Sequence, residues 1–217
     1  MNKFERLKTM DSSEALKYLE KVLGKEQAQE FFKEEKLFTP VKNAEVGSFI
    51  LYAGIEWVVL EQTKKGALLF AKQRLFDRAF DTNEKNDWSK SSLRKELNNF
   101  NEKGMQRGFE HTENINKNDL VEFERDLTTD DGMTDYGKCK DYLSLITCEE
   151  YRKYRGLISN ADDWWWTATG DSLVYSYFVR IVYSGGALSH YYARNGSYGV
   201  RPLCILKSET EVEICEK

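Results

Sequence analysis

Long apolar runs are missing from this chain, histidine is scarce, and the familiar motifs of export and catalysis are absent. No stretch approaches the ~20 apolar residues of a membrane-spanning helix. The opening MNKFERLKTMDSSEAL carries charges where a leader peptide needs an apolar centre. No Sec leader is therefore expected, and the reading is of a protein made in the cytoplasm. Histidine occurs only at His111 and His190, in unrelated contexts. The four cysteines, Cys139, Cys148, Cys204 and Cys215, are widely spaced and form no Cys-x-x-Cys pair. That argues for free, buried thiols rather than zinc ligands or a disulfide framework. No Gly-x-Ser-x-Gly elbow, phosphate-binding loop or dinucleotide fingerprint is present. Basic and acidic residues are interleaved at a formal charge of -4, which disfavours a nucleic-acid partner. These absences point to a protein that is not an enzyme and uses neither cofactor nor metal.

What the chain does have is tyrosine in one place. Between Asp171 and Tyr198 lie Tyr175, Tyr177, Tyr183, Tyr191, Tyr192 and Tyr198, half of the chain's 12 tyrosines, set among serine, glycine and asparagine. Tyrosine supplies broad, stiff, amphipathic contact area, and the small polar residues adapt their hydrogen bonding. The composition is that of a binding surface.

The local signals come in three blocks. Residues 1–40 read as a helical appendage. Asp11 and Glu14 have capping-box spacing. Leu16, Leu19, Val22 and Leu23 recur at helical period, and Gly24 can end the helix. A second helix is expected from Lys25 to Lys36, anchored by Phe31 and Phe32 and closed by Thr39-Pro40. Strands are expected over Ser48–Tyr52 and Glu56–Leu60, joined at Ala53-Gly54, and over Gly66–Ala71. Trp88–Phe100 reads as a helix capped by Ser89, with Leu93, Leu97 and Phe100 facing the core. Residues 114–137 read as mostly loop. An apolar run over Tyr142–Ile146 precedes a short helix capped by Thr147. The C-terminal third reads as all-β, over Trp164–Ala168, Tyr175–Tyr183 and Val200–Leu206, with a turn at Gly185-Gly186. Residues 208–217 read as a charged, frayed tail. The class is α+β, with the ends of the domain pairing in one antiparallel sheet.

Several of these residues also carry a family likeness: Gly54-x-x-Trp57-x-Val59-Leu60, Trp88-x-x-Ser91-x-Leu93-Arg94-x-x-Leu97-Asn98, Tyr142-Leu143-Ser144-Leu145, Glu149-Glu150-Tyr151, Trp165-Trp166-Thr167-Ala168-Thr169, and the closing Gly199-Val200-Arg201-Pro202. In order and spacing, residues 45–207 resemble uncharacterised bacterial and prophage proteins with a C-type-lectin-like fold. The frame is also similar to the lectin-fold variable proteins diversified by retroelements, and more distantly to formylglycine-generating enzymes. The resemblance to variable proteins implies adenine-directed mutation of asparagine codons, which cannot yield Lys, Glu, Gln, Met or Trp. None of these five occurs from Thr167 to Leu206. Buried strands shun Lys and Glu for their own reasons. The oxidase resemblance implies a close-set reactive cysteine pair. Cys204 and Cys215 are the nearest candidates, and Cys215 lies beyond the matched region.

Each constellation has a plainer reading beside it. Trp164, Trp165 and Trp166 could stack on a sugar, but alternation sends Trp165 to the face opposite its neighbours, and at least one side should be core. Arg201 reads as a buried structural ion pair before a ligand clamp. Asp130-Asp131-Gly132-Met133-Thr134-Asp135 has oxygens for calcium, but the EF-hand spacing is missing and a solvated acidic loop is the simpler reading. The expectation is a non-enzymatic recognition protein, of prophage origin through the resemblance, binding a protein or glycan. The contacts would be Ser172, Tyr175, Tyr177, Tyr183, Ser189, His190, Tyr191, Tyr192, Arg194, Asn195, Ser197 and Tyr198, forming one face. The N-terminal helices would serve attachment to a particle or another copy, which makes association with a virion the matching location. The alternative is a structural protein of a phage particle that uses the same face for self-association.

Overall fold

A computed structural model describes residues 12–28, 38–107 and 112–215. Asp11, the Phe31 and Phe32 anchors of the second expected helix, and His111 lie outside the described residues.

Helix α1 (Ser12–Leu23) ends at Gly24, whose φ of +86° is the left-handed conformation that closes a helix at no steric cost to glycine. Of its periodic positions, Leu19 is buried while Val22 and Leu23 are exposed. The chain then builds β1 (Thr39–Pro40), β2 (Phe49–Tyr52), β3 (Ile55–Gln62) and β4 (Gly66–Ala71). Ala53 and Gly54 both take positive φ, the two-residue hairpin geometry whose twist matches its strands. Gly66 is required by proximity: a Cβ there would meet the Leu206 carbonyl oxygen at 1.9 Å.

After β5 (Phe76–Asp77), the expected helix over Trp88–Phe100 divides. Trp88–Lys90 is a 3-10 turn capped by the Asp87 carboxylate, and α2 (Ser92–Leu97) starts afresh under Ser91, not Ser89. Ser89 instead donates its hydroxyl to Asp87. Leu93 and Leu97 are buried, as their spacing required. The segment expected to be loop contains β6 (Leu120–Val121) and β7 (Phe123–Asp126); β7 pairs with β8 (Lys138–Asp141). β9 (Leu143–Leu145) leads into α3 (Cys148–Tyr154), which carries a full capping box between Thr147 and Glu150.

The remaining strands are β10 (Trp165–Gly170), β11 (Phe178–Val182), β12 (Leu188–Tyr192), β13 (Gly199–Val200), β14 (Pro202–Lys207) and β15 (Glu211–Cys215). The larger sheet has eight strands in the order β1-β15-β2-β3-β4-β14-β6, with β9 also on β14. The second has five, in the order β12-β11-β10-β13-β5. The class is α+β: mostly sheet with a few short helices. Residues expected to fray form β15 instead, its Val212 buried and its backbone paired with β1 and β2. Pro202 opens β14, where a missing N–H costs no ladder bond.

Both faces of the larger sheet are covered. Trp57, Val59, Leu69 and Cys204 point into one core with Phe80, Trp88 and Trp166. Val58, Phe70 and Leu203 point into another with Tyr151, Tyr154 and Trp165. The tryptophan alternation holds: Trp165 and Trp166 enter opposite cores and both are buried, so neither is available to stack on a sugar.

Candidate functional site

The tyrosine-rich segment folds as the outer hairpin of the five-stranded sheet. Strand β11 pairs with β12 in a continuous antiparallel register from Phe178↔Tyr192 to Val182↔Leu188, around a turn where Gly186 takes φ +87°. Phe178, Arg180 and Val182 share one face with Leu188, His190 and Tyr192. Val179 and Ile181 share the other with Ser189 and Tyr191. The single face expected from the sequence is therefore two.

On the first face, aromatic rings form a shelf around Phe178. Tyr177 lies 4.6 Å from it, His190 4.6 Å and Tyr192 4.8 Å between centroids. Tyr177 stacks on Tyr192 at 5.8 Å, and Tyr175 extends the shelf outward. Beside it runs a charge ladder. Arg180 donates to Asp171 at 3.0 Å and lies 3.3 Å from Asp130, and Arg152 donates to Asp130 at 2.9 Å. His190 Nδ1 lies 3.2 Å from the same Asp171 oxygen. Asp130 is thus held by two guanidinium groups, and Asp131 accepts a hydrogen bond from Thr129. Asp131, Gly132, Met133, Thr134 and Asp135 are exposed, as a solvated acidic loop should be, and Asp130 alone is drawn inward by Arg152 and Arg180. A shallow hollow of about 410 Å³ lies where Asp130, Asp131 and Asp171 meet Val174 and Tyr175.

On the second face, Tyr198 is wedged between Trp164, Trp166 and Tyr191, with centroids at 5.5, 4.9 and 5.0 Å. Burial, with Tyr191 and Tyr183 close by, pushes the Tyr198 phenol above the usual tyrosine range. Tyr183 lies half-buried on Trp164 at 4.2 Å.

The twelve expected contacts therefore separate. Tyr175, His190, Tyr191, Tyr192, Arg194 and Ser197 are exposed, and Tyr177, Tyr183, Ser189 and Asn195 are half-buried. Ser172 and Tyr198 are buried and are corrected to scaffold. The Ser172 hydroxyl accepts from the Tyr175 N–H, and its carbonyl accepts from Asn86. Asn195 shapes the following turn by accepting from the Ser197 N–H. Arg194 reaches Glu84 at 3.2 Å. Phe178 and Val174 were missed. Phe178 is recognisable by its even parity with Arg180, whereas Val174, 81 % exposed, carries no such signal.

Arg201 is structural, but not as an ion pair. It is fully buried, donates to the carbonyls of Ala71, Lys72 and Ser159, and sits over Phe70 at 4.4 Å and Trp165 at 4.9 Å. Burial lowers its pKa to about 10, so it stays charged at neutral pH. The four cysteines are free. Burial raises each of their pKa values, Cys139 to about 11, which leaves them as thiols at neutral pH.

Among the described residues, no helix is long and apolar enough to cross a membrane. No curated protein and no solved structure matches the chain. Over residues 118–208, from just before β6 through β14, it is similar to a family described as a domain of unknown function (DUF6273), and that stretch contains the whole aromatic hairpin.

Proposed function

We propose that this protein is a non-enzymatic recognition protein, built on a C-type-lectin-like fold, that binds a protein or glycan through the β11–β12 hairpin. One observation carries the reading. Val174, Tyr175, Tyr191 and Tyr192 are all substantially exposed and cluster on this hairpin and the turn before it, while the molecule buries its other aromatic-rich strands. Exposed aromatic clusters mark interaction sites more often than isolated exposed side chains do.

Retroelement diversification is a narrower version of the proposal. Much of the gap in Lys, Glu, Gln, Met and Trp falls on buried positions such as Val179, Ile181, Ala193, Val200 and Leu203, where charge is excluded anyway. The variable set would be confined to exposed positions such as Tyr175, Tyr191, Tyr192 and Arg194. A near-copy of the encoding DNA that differs at adenines, beside a reverse transcriptase gene, is the expected companion. Its absence would remove diversification and leave recognition standing.

The test of recognition is adsorption of the purified protein to a panel of bacterial cells, with Tyr191→Ala and Tyr192→Ala as variants. Loss of adsorption with unchanged thermal stability is the expected result. Unchanged adsorption sinks the proposal. A concentration-dependent oligomer that the same substitutions dissolve would favour self-association instead.

A further inference from the structure

Among the described residues, β12 is the terminal strand of its sheet and no strand pairs with its outer edge. The hydrogen bonds that flank the hairpin register fix which groups face outward. The Tyr183 N–H donates to the Ala187 carbonyl, and the Ala193 N–H donates to the Tyr177 carbonyl. Hydrogen-bonded pairs recur every second residue in an antiparallel ladder, so Ser189 and Tyr191 also bond inward to β11. The main-chain groups of Leu188, His190 and Tyr192 then point away from the sheet. The Tyr192 carbonyl is taken by the Asn195 N–H at 3.0 Å. Among the described residues, no strand pairs with the rest of this edge.

Exposed edges normally carry a lysine, a proline, a bulge or a cover that prevents another strand from joining. Leu188-Ser189-His190-Tyr191-Tyr192 carries neither lysine nor proline, and its register with β11 runs without a shift. Its side chains place aromatic surface on both sides of the edge: His190 and Tyr192 on the first face, Tyr191 on the second. An added strand presents alternate side chains to both faces at once and would use both.

From this geometry, and resting on the hairpin's being a recognition surface, we infer that β12 captures an extended segment of a partner protein as a sixth, antiparallel strand. Main-chain hydrogen bonds to Leu188 and His190 supply the attachment. Apolar or aromatic side chains at alternate positions of the segment lie on the two aromatic walls. The outward main-chain groups of Leu188 and His190 match the main chain of an extended segment, and the small tyrosine area beside them fits the same occupant. Taking about 200 Å² for each tyrosine, the exposure of Tyr175, Tyr191 and Tyr192 at 53 %, 38 % and 44 % leaves about 270 Å² of tyrosine surface. That suits a slim segment. A second globular copy needs about 800 Å² on each partner.

The probe is a random-peptide library displayed on phage, panned on the whole protein, with the enriched peptides then synthesised and titrated. Enriched peptides should alternate apolar or aromatic residues with polar ones. On binding, they should slow hydrogen exchange at the His190 and Leu188 amides. His190→Pro removes one outward N–H together with the imidazole and leaves the ladder to β11 intact, so it should bind roughly tenfold more weakly than His190→Ala, which loses the ring alone. Should that variant fail to fold, Leu188→Pro makes the same test at the first residue of the strand, where proline is tolerated. Failure of any peptide to enrich, equal binding to the proline and alanine variants, or unchanged exchange at these amides overturns strand addition. So does a dimer of the unaltered protein that His190→Pro dissolves, since a second copy would then hold the edge. The two proposals fail separately. Cell adsorption lost in Tyr191→Ala and Tyr192→Ala but kept in His190→Pro leaves recognition standing without strand addition. Peptide binding lost in His190→Pro, with cell adsorption unaffected by the tyrosine substitutions, does the reverse.

Discussion

The two large sheets treat aromatic residues in opposite ways. In the eight-stranded sheet, every residue of β4 is buried, and Trp57 and Phe70 fill the two cores on either side. In the five-stranded sheet, β10 does the same with Trp165 and Trp166, but two strands further out β12 presents Tyr191 and Tyr192 to solvent. The contrast shows that the chain has ample means of burying rings. Among the described residues, the exposed shelf is a local departure from the burial of rings seen in β4 and β10, and local departures of this kind are expected at functional surfaces.

Four substitutions put that contrast to the test. The largest effect should come from Trp166→Ala. The ring is fully buried against Phe80 and Tyr198, and its indole N–H donates to the Arg78 carbonyl at 2.8 Å. A loss of about 3–5 kcal/mol in urea unfolding is expected. A loss below about 1 kcal/mol would show that β10 is not core in the way β4 is. Next comes Arg201→Met, which keeps much of the bulk but leaves three carbonyls without their donor. About 2–3 kcal/mol of destabilisation is expected by the same measurement.

A smaller effect is pH-dependent. Burial works to raise the Glu150 carboxyl, but Arg125 and the Thr147 cap outweigh it and hold the group below its ordinary value. A carboxyl lowered in the folded state stabilises the fold above its unfolded pKa of about 4.3. That contribution is lost as pH falls through the lower folded value. Melting curves from pH 7 down through this range should therefore fall more steeply for the unaltered protein than for Glu150→Gln. Parallel curves would remove the Arg125–Glu150 pair from the account. The smallest effect belongs to the shelf. Tyr192→Ala should change unfolding free energy by under about 1 kcal/mol while abolishing cell adsorption. A loss as large as that of Trp166→Ala would turn the shelf into core and erase the contrast.

Much of the architecture was legible where local and global demands agree. The Ala53-Gly54 hairpin, the Gly66–Ala71 strand, the Thr147 cap of the short helix and the alternation at Trp165 and Trp166 each follow from one short-range rule. Legibility failed where charge obscured pattern. Glu211-Val212-Glu213-Ile214-Cys215 alternates as a strand should, yet its glutamates read as a solvated tail, because only pairing with distant β1 and β2 makes it a strand. Similarly, Asp130 read as solvent-facing because its partners Arg152 and Arg180 lie far along the chain. At the site, the residue types were readable but their division was not. Tyr191 and Tyr192 are neighbours in sequence, and the register with β11 sends them to opposite faces. Tyr198 looked identical to its exposed relatives, and only the closure of Trp164 and Trp166 over it makes it interior.

The placement of β14 has a consequence in time. This strand joins β4 on one side and β6 and β9 on the other, and Arg201, just before it, grips the Ala71 carbonyl 130 residues earlier. The centre of the larger sheet therefore closes only through contacts of very long sequence separation, and loop-closure entropy must be overcome before those contacts reward it. Folding should be slow for a chain of this size, on the order of seconds rather than milliseconds. Until β14 arrives, the apolar edge of β4 stays open, so crowding or elevated temperature during refolding should send the chain toward aggregation through that strand.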